Sequence, residues 1–343
     1  MNNKAETSVI GKINRYFQEY GLTANIKNTT IVVGVSGGAD SVCLLHNLIR
    51  LQKSYKWDVH VCHLNHLVRK DGTAQRDAEF VKNLCQSANI PFHYRESNVE
   101  EIARQLGIGT EDAGRRERYR FFNEVGEQYS KNSKYYIATG ANANDDIETM
   151  LMRLMRGTSL DGLSGIQPYT GNVLHPLIYC TRAEIESYIK SKGLVHIEDG
   201  TNSEAIYTRN KIRLELIPWI QNNINPNFIN TVIKPMQSYK EDSAYMDKQA
   251  NKAYANCVFY NTPNQIVFVR RKFMSVDIAI RKRIMMRAIK TVLGTEVFQF
   301  NVGAVLDDAC KVPVTGKTYT VNKFVRIKVS KSDIIVENTQ NMF

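Results

Sequence analysis

Apolar and polar positions follow two different periods in the first half of the chain. Short runs of strand length alternate with longer segments in which apolar residues recur at helical spacing. The predicted strands are Thr30–Val35, Asp58–His63, Phe92–Glu96 and Tyr135–Thr139. The predicted helices are Ser41–Gln52, Thr73–Ala88, Val99–Leu106, Thr110–Tyr129 and Asp145–Met155. Strands separated by helices form βαβ units, so we predict an α/β fold built on a doubly wound parallel sheet.

The pattern changes after about residue 213. Helical spacing is found in Arg209–Asn222, in Phe228–Cys257 (as one or two helices) and in Val276–Leu293. Strand-like patterns are found in Val267–Val269 and Thr318–Val336. We therefore expect four parts: an N-terminal packing helix in 1–28, the parallel-sheet domain in 29–213, a helical connector in 214–262 and a small α+β domain in 263–343.

Composition narrows the class of protein. The 343 residues are 43% hydrophobic and 23% charged, as in soluble globular proteins. The net charge of +11 favours a polyanionic partner, although a basic surface kept for solubility would give the same value. The six cysteines form no Cys-x-x-Cys pair, which indicates a reducing compartment and argues against a zinc or iron–sulfur site. With no apolar run of membrane-spanning length and no secretory signal, we expect a cytoplasmic protein that does not enter a membrane.

The segment from Ile31 to Ser41 carries the most specific chemistry. An apolar strand runs into Ser36-Gly37-Gly38-Ala39-Asp40-Ser41, and a helical pattern follows. Adjacent glycines let the backbone approach a ligand closely, and a helix N-terminus after such a turn binds phosphate. The segment lacks the Gly-Lys-Ser/Thr of a Walker loop and the spacing of a dinucleotide fingerprint. An ordinary glycine turn is the alternative.

A polar side chain lies at or just past the end of each of the four predicted strands. Ser36, His63, Glu96 and Thr139 all fall at or just past strand ends. In a doubly wound sheet the ligand lies at the carboxyl ends of the strands, so this placement supports a site there. The His-Leu-Asn-His cluster that starts at His63 is by itself better explained by histidines that are solvated or bonded to the backbone.

Two predicted helices carry charged groups suited to a phosphate site. Arg115 and Arg118 share one helix face, where they would bind phosphate or simply face solvent. Asp145 and Glu148 open another helix, and paired carboxylates beside a phosphate loop suit Mg²⁺. Capping of that helix by Asn144 or Asp145 would explain the same residues.

A further pair of arginines follows the Asp-Gly-Thr-Asn turn at 199–202. Arg209 and Arg213 lie one helical turn apart, as expected for binding a phosphate or an acidic partner.

Together these motifs resemble the tRNA(Ile)-lysidine synthetase family, which belongs to the pyrophosphate-loop ATP pyrophosphatases. The matching blocks occur in family order over residues 30 to about 220. They are Ser-Gly-Gly-Ala-Asp-Ser, His-Leu-Asn-His-Leu-Val-Arg, Glu-Asp-Ala-Gly-Arg-Arg-Glu-Arg-Tyr, Asn-Asp-Asp-Ile-Glu-Thr, Arg-Gly-Thr-Ser-Leu-Asp-Gly-Leu, His-Pro-Leu-Ile, Thr-Arg-Ala-Glu-Ile, Asp-Gly-Thr-Asn and Arg-Asn-Lys-Ile-Arg. The resemblance implies a Rossmann-like adenine nucleotide α-hydrolase fold.

The resemblance also implies a reaction. ATP adenylates C2 of the wobble cytidine in a tRNA(Ile) with a CAU anticodon, and L-lysine then displaces AMP to give lysidine. The implied cofactors are ATP and Mg²⁺, and a homodimer is left open.

The expected roles follow from these motifs. The residues expected to bind ATP are Ser36, Gly37, Gly38, Ala39, Asp40, Ser41 and His63. The residues expected to be catalytic are Asp40, Asp145, Glu148, Arg115 and Arg118, with Asp40 and Asp145 as Mg²⁺ ligands and either Asp145 or Glu148 as the base for lysine. The residues expected to contact tRNA are Arg69, Arg153, Arg156, Arg209 and Arg213, together with the basic run 270–290.

The chain departs from the family in one turn. Ala141 and Asn142 stand where the family usually has two histidines, and Asp146 replaces a glutamine or apolar residue. If those histidines contact ATP phosphates, the site is weaker here, or His63 or His66 compensates. The alternatives are a tRNA thiolase of the same superfamily and a tRNA-binding protein with a degenerate ATP site.

Overall fold

The computed structural model describes residues 8–68, 72–130, 134–198, 208–294 and 303–339. The chain divides into two compact units, 1–237 and 238–343. This boundary lies within a single helix, Phe228–Cys257, which the sequence predicts as one or two helices. The finer division into four parts stays a prediction.

The first unit contains a six-stranded sheet. Its strands are β1 (Thr30–Gly34), β2 (Asp58–Asn65), β3 (Phe92–Glu96), β4 (Tyr135–Ala138), β5 (Tyr169–Thr170) and β6 (Val173–Leu174). Its helices are α1 (Val9–Glu19), α2 (Leu22–Asn25), α3 (Ala39–Tyr55), α4 (Thr73–Ala88), α5 (Val99–Leu106), α6 (Thr110–Tyr129), α7 (Ala143–Met155), α8 (Leu160–Leu163), α9 (Arg182–Lys192), α10 (Thr208–Lys211) and α11 (Ile217–Asn223). A π-helical turn, Ile212–Leu216, joins α10 to α11.

The strand order, β3-β2-β1-β4-β6-β5, confirms the doubly wound α/β fold. Every neighbouring pair is parallel except β5 and β6. The chain moves outward from β1 through β2 to β3 and then returns to β4 on the other side of β1. The switch point therefore lies beside β1, and its carboxyl end is where such a fold binds a ligand.

The central position of β1 in the sheet agrees with the burial of its apolar side chains. Ile31, Val32 and Val33 of β1 are at most 1% exposed, as expected for a strand covered on both faces. Helix α1 also joins the core, because Tyr16 and Phe17 are at most 1% exposed. The predicted N-terminal packing helix is thus present.

The predicted elements agree closely with those of the structure. Helices α4, α5 and α6 and strand β3 have the predicted bounds, while α3 and α7 each begin two residues earlier than expected. The sequence analysis did not predict α9 or the two-residue strands β5 and β6.

The second unit contains an antiparallel sheet in the order β7-β8-β11-β10-β9. Its strands are β7 (Val258–Asn261), β8 (Gln265–Val269), β9 (Thr318–Thr320), β10 (Val325–Val329) and β11 (Asp333–Asn338). Helix α12 (Phe228–Cys257) contains the boundary between the units. The helices that follow it in the second unit are α13 (Arg270–Met274), α14 (Ile278–Leu293) and α15 (Gly303–Lys311). Burial alternates along β10, so one sheet face packs on the buried side of α14. Within the described ranges, no helix is both long and apolar enough to cross a membrane.

Candidate active site

The loop between β1 and α3 forms a phosphate-binding turn. Gly38 is the N-cap of α3, and no side chain among the described residues caps it. The Ser41 hydroxyl donates to the Gly38 carbonyl at 2.9 Å, and Ser36 Oγ lies 3.3 Å from Ser41 Oγ. The first amides of α3 and its positive dipole end are therefore available to an anion.

Position 37 needs a glycine, both for its backbone conformation and for the lack of space around it. Its φ of +97° is a conformation that residues with a side chain rarely adopt. A Cβ atom here would lie 2.6 Å from Ile197 Cδ1. The Ile197 amide also donates to the Gly37 carbonyl at 2.9 Å. The segment after α9 thus fixes the first turn of the loop, a contact that the sequence analysis missed.

Among the described residues, two polar side chains contact Asp40, which lies in the first turn of α3. Asn142 Nδ2 donates to Asp40 Oδ1 at 2.9 Å, and Arg182 Nη2 lies 3.5 Å from Oδ2. Burial raises the pKa of Asp40, while Arg182 and the Asn142 hydrogen bond oppose that rise. A Cβ on Gly140 would come within 3.2 Å of the Asp40–Ser41 backbone, so a glycine lets the end of β4 approach the loop.

The N-cap of α7 is Asn142, so the predicted cap at Asn144 is wrong, while Asp145 takes part in capping as the partner of Asn142. Asn142 Oδ1 accepts the amides of Asn144 and Asp145 at 2.9 and 3.1 Å. Asp145 Oδ2 accepts the Asn142 amide at 3.1 Å, which completes a capping box. The turn that departs from the family pattern is therefore well ordered by its own side chains.

The acid pair of α7 is bound by two arginines. Arg209 contacts Asp145 Oδ1 at 3.0 Å and Glu148 Oε2 at 2.8 Å. Arg213 contacts the same two acids at 2.8 Å and 2.6 Å. Of the two kinds of partner predicted for Arg209 and Arg213, the structure shows the acidic one, and a contact with tRNA stays a prediction. Helical periodicity alone could not identify these partners, which are more than 60 residues away in the sequence.

The two arginines of α6 have different neighbours. Arg118 Nη2 lies 3.2 Å from His66 Nε2, just past β2. Burial lowers the pKa of His66 to about 4, and the positive charge of Arg118 makes the second largest contribution to this decrease. The Arg115 guanidinium stacks over the Tyr119 ring at 5.0 Å. His66 is thus a neutral acceptor at physiological pH, and the two arginines do not converge on one protein group.

His63 lies at the carboxyl end of β2 but is buried. Its Nδ1 donates to the Val35 carbonyl at 2.8 Å, which leaves Nε2 as an acceptor. Burial lowers the pKa of His63 below its ordinary value, so the ring is uncharged near neutral pH. It would contribute orientation to an ATP site more than positive charge.

Among the remaining predicted tRNA contacts, Arg153 has a structural role. Its Nη1 donates to the Gly165 carbonyl at 2.6 Å, while Asp146 Oδ1 accepts the Ile166 amide at 2.5 Å. The two side chains therefore hold both ends of one peptide bond. Arg156 is exposed at the C-cap of α7. Arg69 and the turn 199–202 lie outside the described residues.

Several cations of the run 270–290 also have partners within the second unit. Arg270 binds the carbonyls of Pro313 and Ser330, and Arg281 binds the carbonyl of Cys310. Arg283 pairs with Asp247 at 2.6 Å. These side chains stabilise the unit, and fewer cations remain for tRNA than the sequence suggests.

The carboxylates fit Mg²⁺ unequally. Both oxygens of Asp145 and both oxygens of Glu148 already accept hydrogen bonds. Among the described residues, Arg182 is the one contact of Asp40 Oδ2, at 3.5 Å, so this oxygen has lone pairs for a cation. Mg²⁺ needs only one or two carboxylates beside phosphate oxygens, so Asp40 suits it best, while Asp145 could add only its Oδ2 atom, because its Oδ1 atom accepts from both Arg209 and Arg213.

The six cysteines are all buried free thiols. Burial raises the pKa of Cys43 to about 12 and that of Cys85 to about 11, so neither is a ready nucleophile. Across the described ranges, no three His, Cys, Asp or Glu side chains are grouped to hold a metal ion by themselves. The thiolase alternative is not favoured by these thiols.

The chain is similar to known proteins of one family over most of its length. The family described as PP-loop domain matches residues 6–220. The tRNA(Ile)-lysidine synthase of Clostridioides difficile is 36% identical, over 92% of this chain and 68% of the relative. That of Clostridium acetobutylicum is 35% identical, over 90% and 66%. The solved U34-tRNA thiolase NcsA from Methanococcus maripaludis is 16% identical, with a TM-score of 0.52 over 67% of this chain and 78% of that chain; this likeness shows the fold alone.

The fold and the phosphate loop thus define an ATP-binding pyrophosphate-loop protein. Within that class, the chain belongs to the tRNA(Ile)-lysidine synthase family, which confirms the resemblance drawn from its motifs. It spans about two thirds of the length of these two relatives.

Arg182 and Ile197 are two residues of the site for which the sequence predicts no role. Thr181 and Glu184 form a capping box, and Gly193 ends α9 in the left-handed conformation. These end signals could have predicted the helix and placed Arg182 in its first turn. No local signal points to Ile197.

Proposed function

We propose that this chain ligates L-lysine to C2 of the wobble cytidine of a tRNA(Ile) with a CAU anticodon, at the expense of ATP. The observation that carries the proposal is the phosphate turn 36–41 with Asp40 beside the acid-bearing N-terminus of α7. Its place in the lysidine synthase family supports the substrate class.

ATP would bind with its pyrophosphate on the first amides of α3. The turn amides from Ser36 to Ser41 offset charge on the leaving pyrophosphate, and they do so without reorganising during the reaction. Arg115 and Arg118 supply further positive charge for AMP or for the cytidine phosphates. His63 holds the turn through Val35.

Asp40 would hold Mg²⁺ through its Oδ2 atom. The ion, when bound, neutralises charge on the phosphates of ATP. Since Asp145 and Glu148 are each paired with two arginines, we assign them to lysine and its proton, and Asp145 stays a candidate second ligand of Mg²⁺ through its Oδ2 atom.

The reaction has two steps. The cytidine O2 atom attacks the α-phosphorus, the bond to pyrophosphate breaks, and adenylated cytidine forms. The lysine ε-amine then attacks C2 and the C2–O bond breaks, releasing AMP and leaving lysidine. The attacking amine must be uncharged, so a proton has to leave the lysine ammonium group, and Asp145 or Glu148 is the candidate acceptor because both carboxylates lie at the start of α7, close to the phosphate turn.

The tRNA would meet a basic protein with a net charge of +11. Arg156 is exposed and available for its phosphates, and Arg69 is retained as a candidate. The cytoplasm is the proposed location, consistent with six free thiols. A homodimer remains a proposal that size determination in solution would test.

Pyrophosphate release tests the proposed function. Purified protein with Mg-ATP and lysine should release pyrophosphate when tRNA(Ile) with a CAU anticodon is added. The matched control is the same tRNA with uridine at the wobble position, which should stimulate at least about tenfold less, or about 1.4 kcal/mol in transition-state terms. Equal stimulation by both tRNAs, or none by either, would contradict the proposal.

A further inference from the structure

Asn142 has two separate sets of partners. Its Oδ1 atom accepts two amides of α7, and its Nδ2 atom donates to Asp40 Oδ1 at 2.9 Å. The residue is 0% exposed, so neither bond is replaced by water. One side chain thus connects the helix that bears the acid pair to the helix that bears Asp40.

Capping explains only half of these contacts. An N-cap needs an oxygen acceptor, and serine or aspartate supplies one as well as asparagine. The amide NH2 group is not needed for the cap, yet it donates to the carboxylate of Asp40, the residue that we propose holds Mg²⁺.

Arg182 reaches Asp40 from the same region. Its amide donates to Asn144 Oδ1 at 2.9 Å, and its guanidinium lies 3.5 Å from Asp40 Oδ2. Both polar neighbours of Asp40 are therefore anchored at the N-terminus of α7. The closer contact occupies Oδ1 and leaves the more open side of the carboxylate at Oδ2.

We propose that Asn142 is a positioning residue that orients the Asp40 carboxylate for Mg-ATP, beyond its role as a helix cap. The inference rests on the proposed function only in placing Asp40 in the ATP site. It assigns a purpose to the residue that stands where the family pattern usually has a histidine.

The test uses two substitutions that keep the cap. Asn142→Ser keeps an oxygen for the α7 amides and removes the donor to Asp40. Asn142→Asp keeps the shape and places a carboxylate oxygen against Asp40. The matched control is Asn98→Ser, because Asn98 caps α5 through the Glu101 amide at 3.2 Å and has no part in the Asp40 contact.

The Kd of Mg-ATP is measured by calorimetry, alongside thermal unfolding. Loss of a hydrogen bond to a charged group should weaken Mg-ATP binding about tenfold in Asn142→Ser, and further in Asn142→Asp. Asn98→Ser should bind as the wild type does. In an Asp40→Asn background the effect of Asn142→Ser should fall to less than about twofold, because the carboxylate it positions is gone.

A Kd for Asn142→Ser within about twofold of wild type would overturn the inference, as would the same loss in the Asp40→Asn background. Failure of the proposed function has a different signature: the wild type would bind Mg-ATP but form no lysidine, and the Kd comparison would still decide the role of Asn142. A wild-type chain that binds no Mg-ATP would overturn both.

Discussion

Arg213 binds Glu148 through two nitrogen–oxygen contacts, Nε to Oε1 at 2.6 Å and Nη2 to Oε2 at 2.9 Å. The Glu148 side chain is only 1% exposed, so its charge depends on this arginine and on Arg209. A charged group buried this deeply is tolerated because it is paired and hydrogen-bonded.

Replacement of Arg213 should therefore be costly. Arg213→Met leaves Glu148 with one cation, and we expect a loss of about 3 kcal/mol in the free energy of unfolding in urea. The matched control is Arg156→Met, an exposed arginine of the same region, which should change stability by less than about 0.5 kcal/mol. Equal stability of the two variants would contradict the ion network described here.

The contact between Ile197 and Gly37 leads to a second prediction. Gly37→Ala should weaken Mg-ATP binding by at least about tenfold, because the loop must leave its +97° φ and move away from Ile197. Adding Ile197→Ala to Gly37→Ala removes the steric conflict and should restore part of the affinity, although the backbone strain remains. No recovery in the double variant would show that Ile197 does not limit the loop.

Titration of His66 gives a third prediction. Its pKa should be about 4 by NMR, and Arg118→Met should raise it, because the nearby positive charge is removed. Because the folded state binds fewer protons than the unfolded state, this histidine makes stability fall as pH decreases from about 6.5 towards 4. A His66 pKa near 6.5 in the wild type would be inconsistent with the burial described here.

The turn at Gly165 gives a fourth prediction. Gly165 has a φ of +68°, and a Cβ there would collide with Asp146 and would lie 2.6 Å from Met236 Cε. Gly165→Ala should cost about 2 kcal/mol or more in unfolding free energy. Gly171→Ala is the control, because Gly171 has a similar φ of +59° but open space around it. A smaller loss of unfolding free energy in Gly165→Ala than in Gly171→Ala would show that a Cβ at position 165 does not clash with Asp146.

Local sequence patterns predict most helices and strands well, but they predict poorly which strands pair and which side chains contact each other. Helices such as Thr110–Tyr129 are predicted because their apolar spacing and their flanking residues agree. Strand β6 has only two residues, too few for a pattern, and its place beside β4 comes from long-range packing. The carboxyl-edge site was predictable because the topology itself brings strand ends together.

The roles within the site depend on contacts that no local pattern encodes. The spacing of Arg209 and Arg213 is correct for one helix face, but spacing cannot say whether that face meets tRNA or the acids of α7. The role of Asn142 is likewise not encoded in a local pattern. The sequence shows only that this residue differs from the expected motif, while its hydrogen bond to Asp40, 102 positions away, is visible only in the folded chain.

Transfer of isotope-labelled lysine to tRNA tests the central claim most directly. The protein is incubated with Mg-ATP, labelled L-lysine and tRNA(Ile) bearing a CAU anticodon, and the digested nucleosides are separated by mass. The account predicts one labelled nucleoside, cytidine plus lysine minus water, formed in equal amount to AMP. Release of AMP and pyrophosphate without label in the tRNA would contradict the proposed ligation.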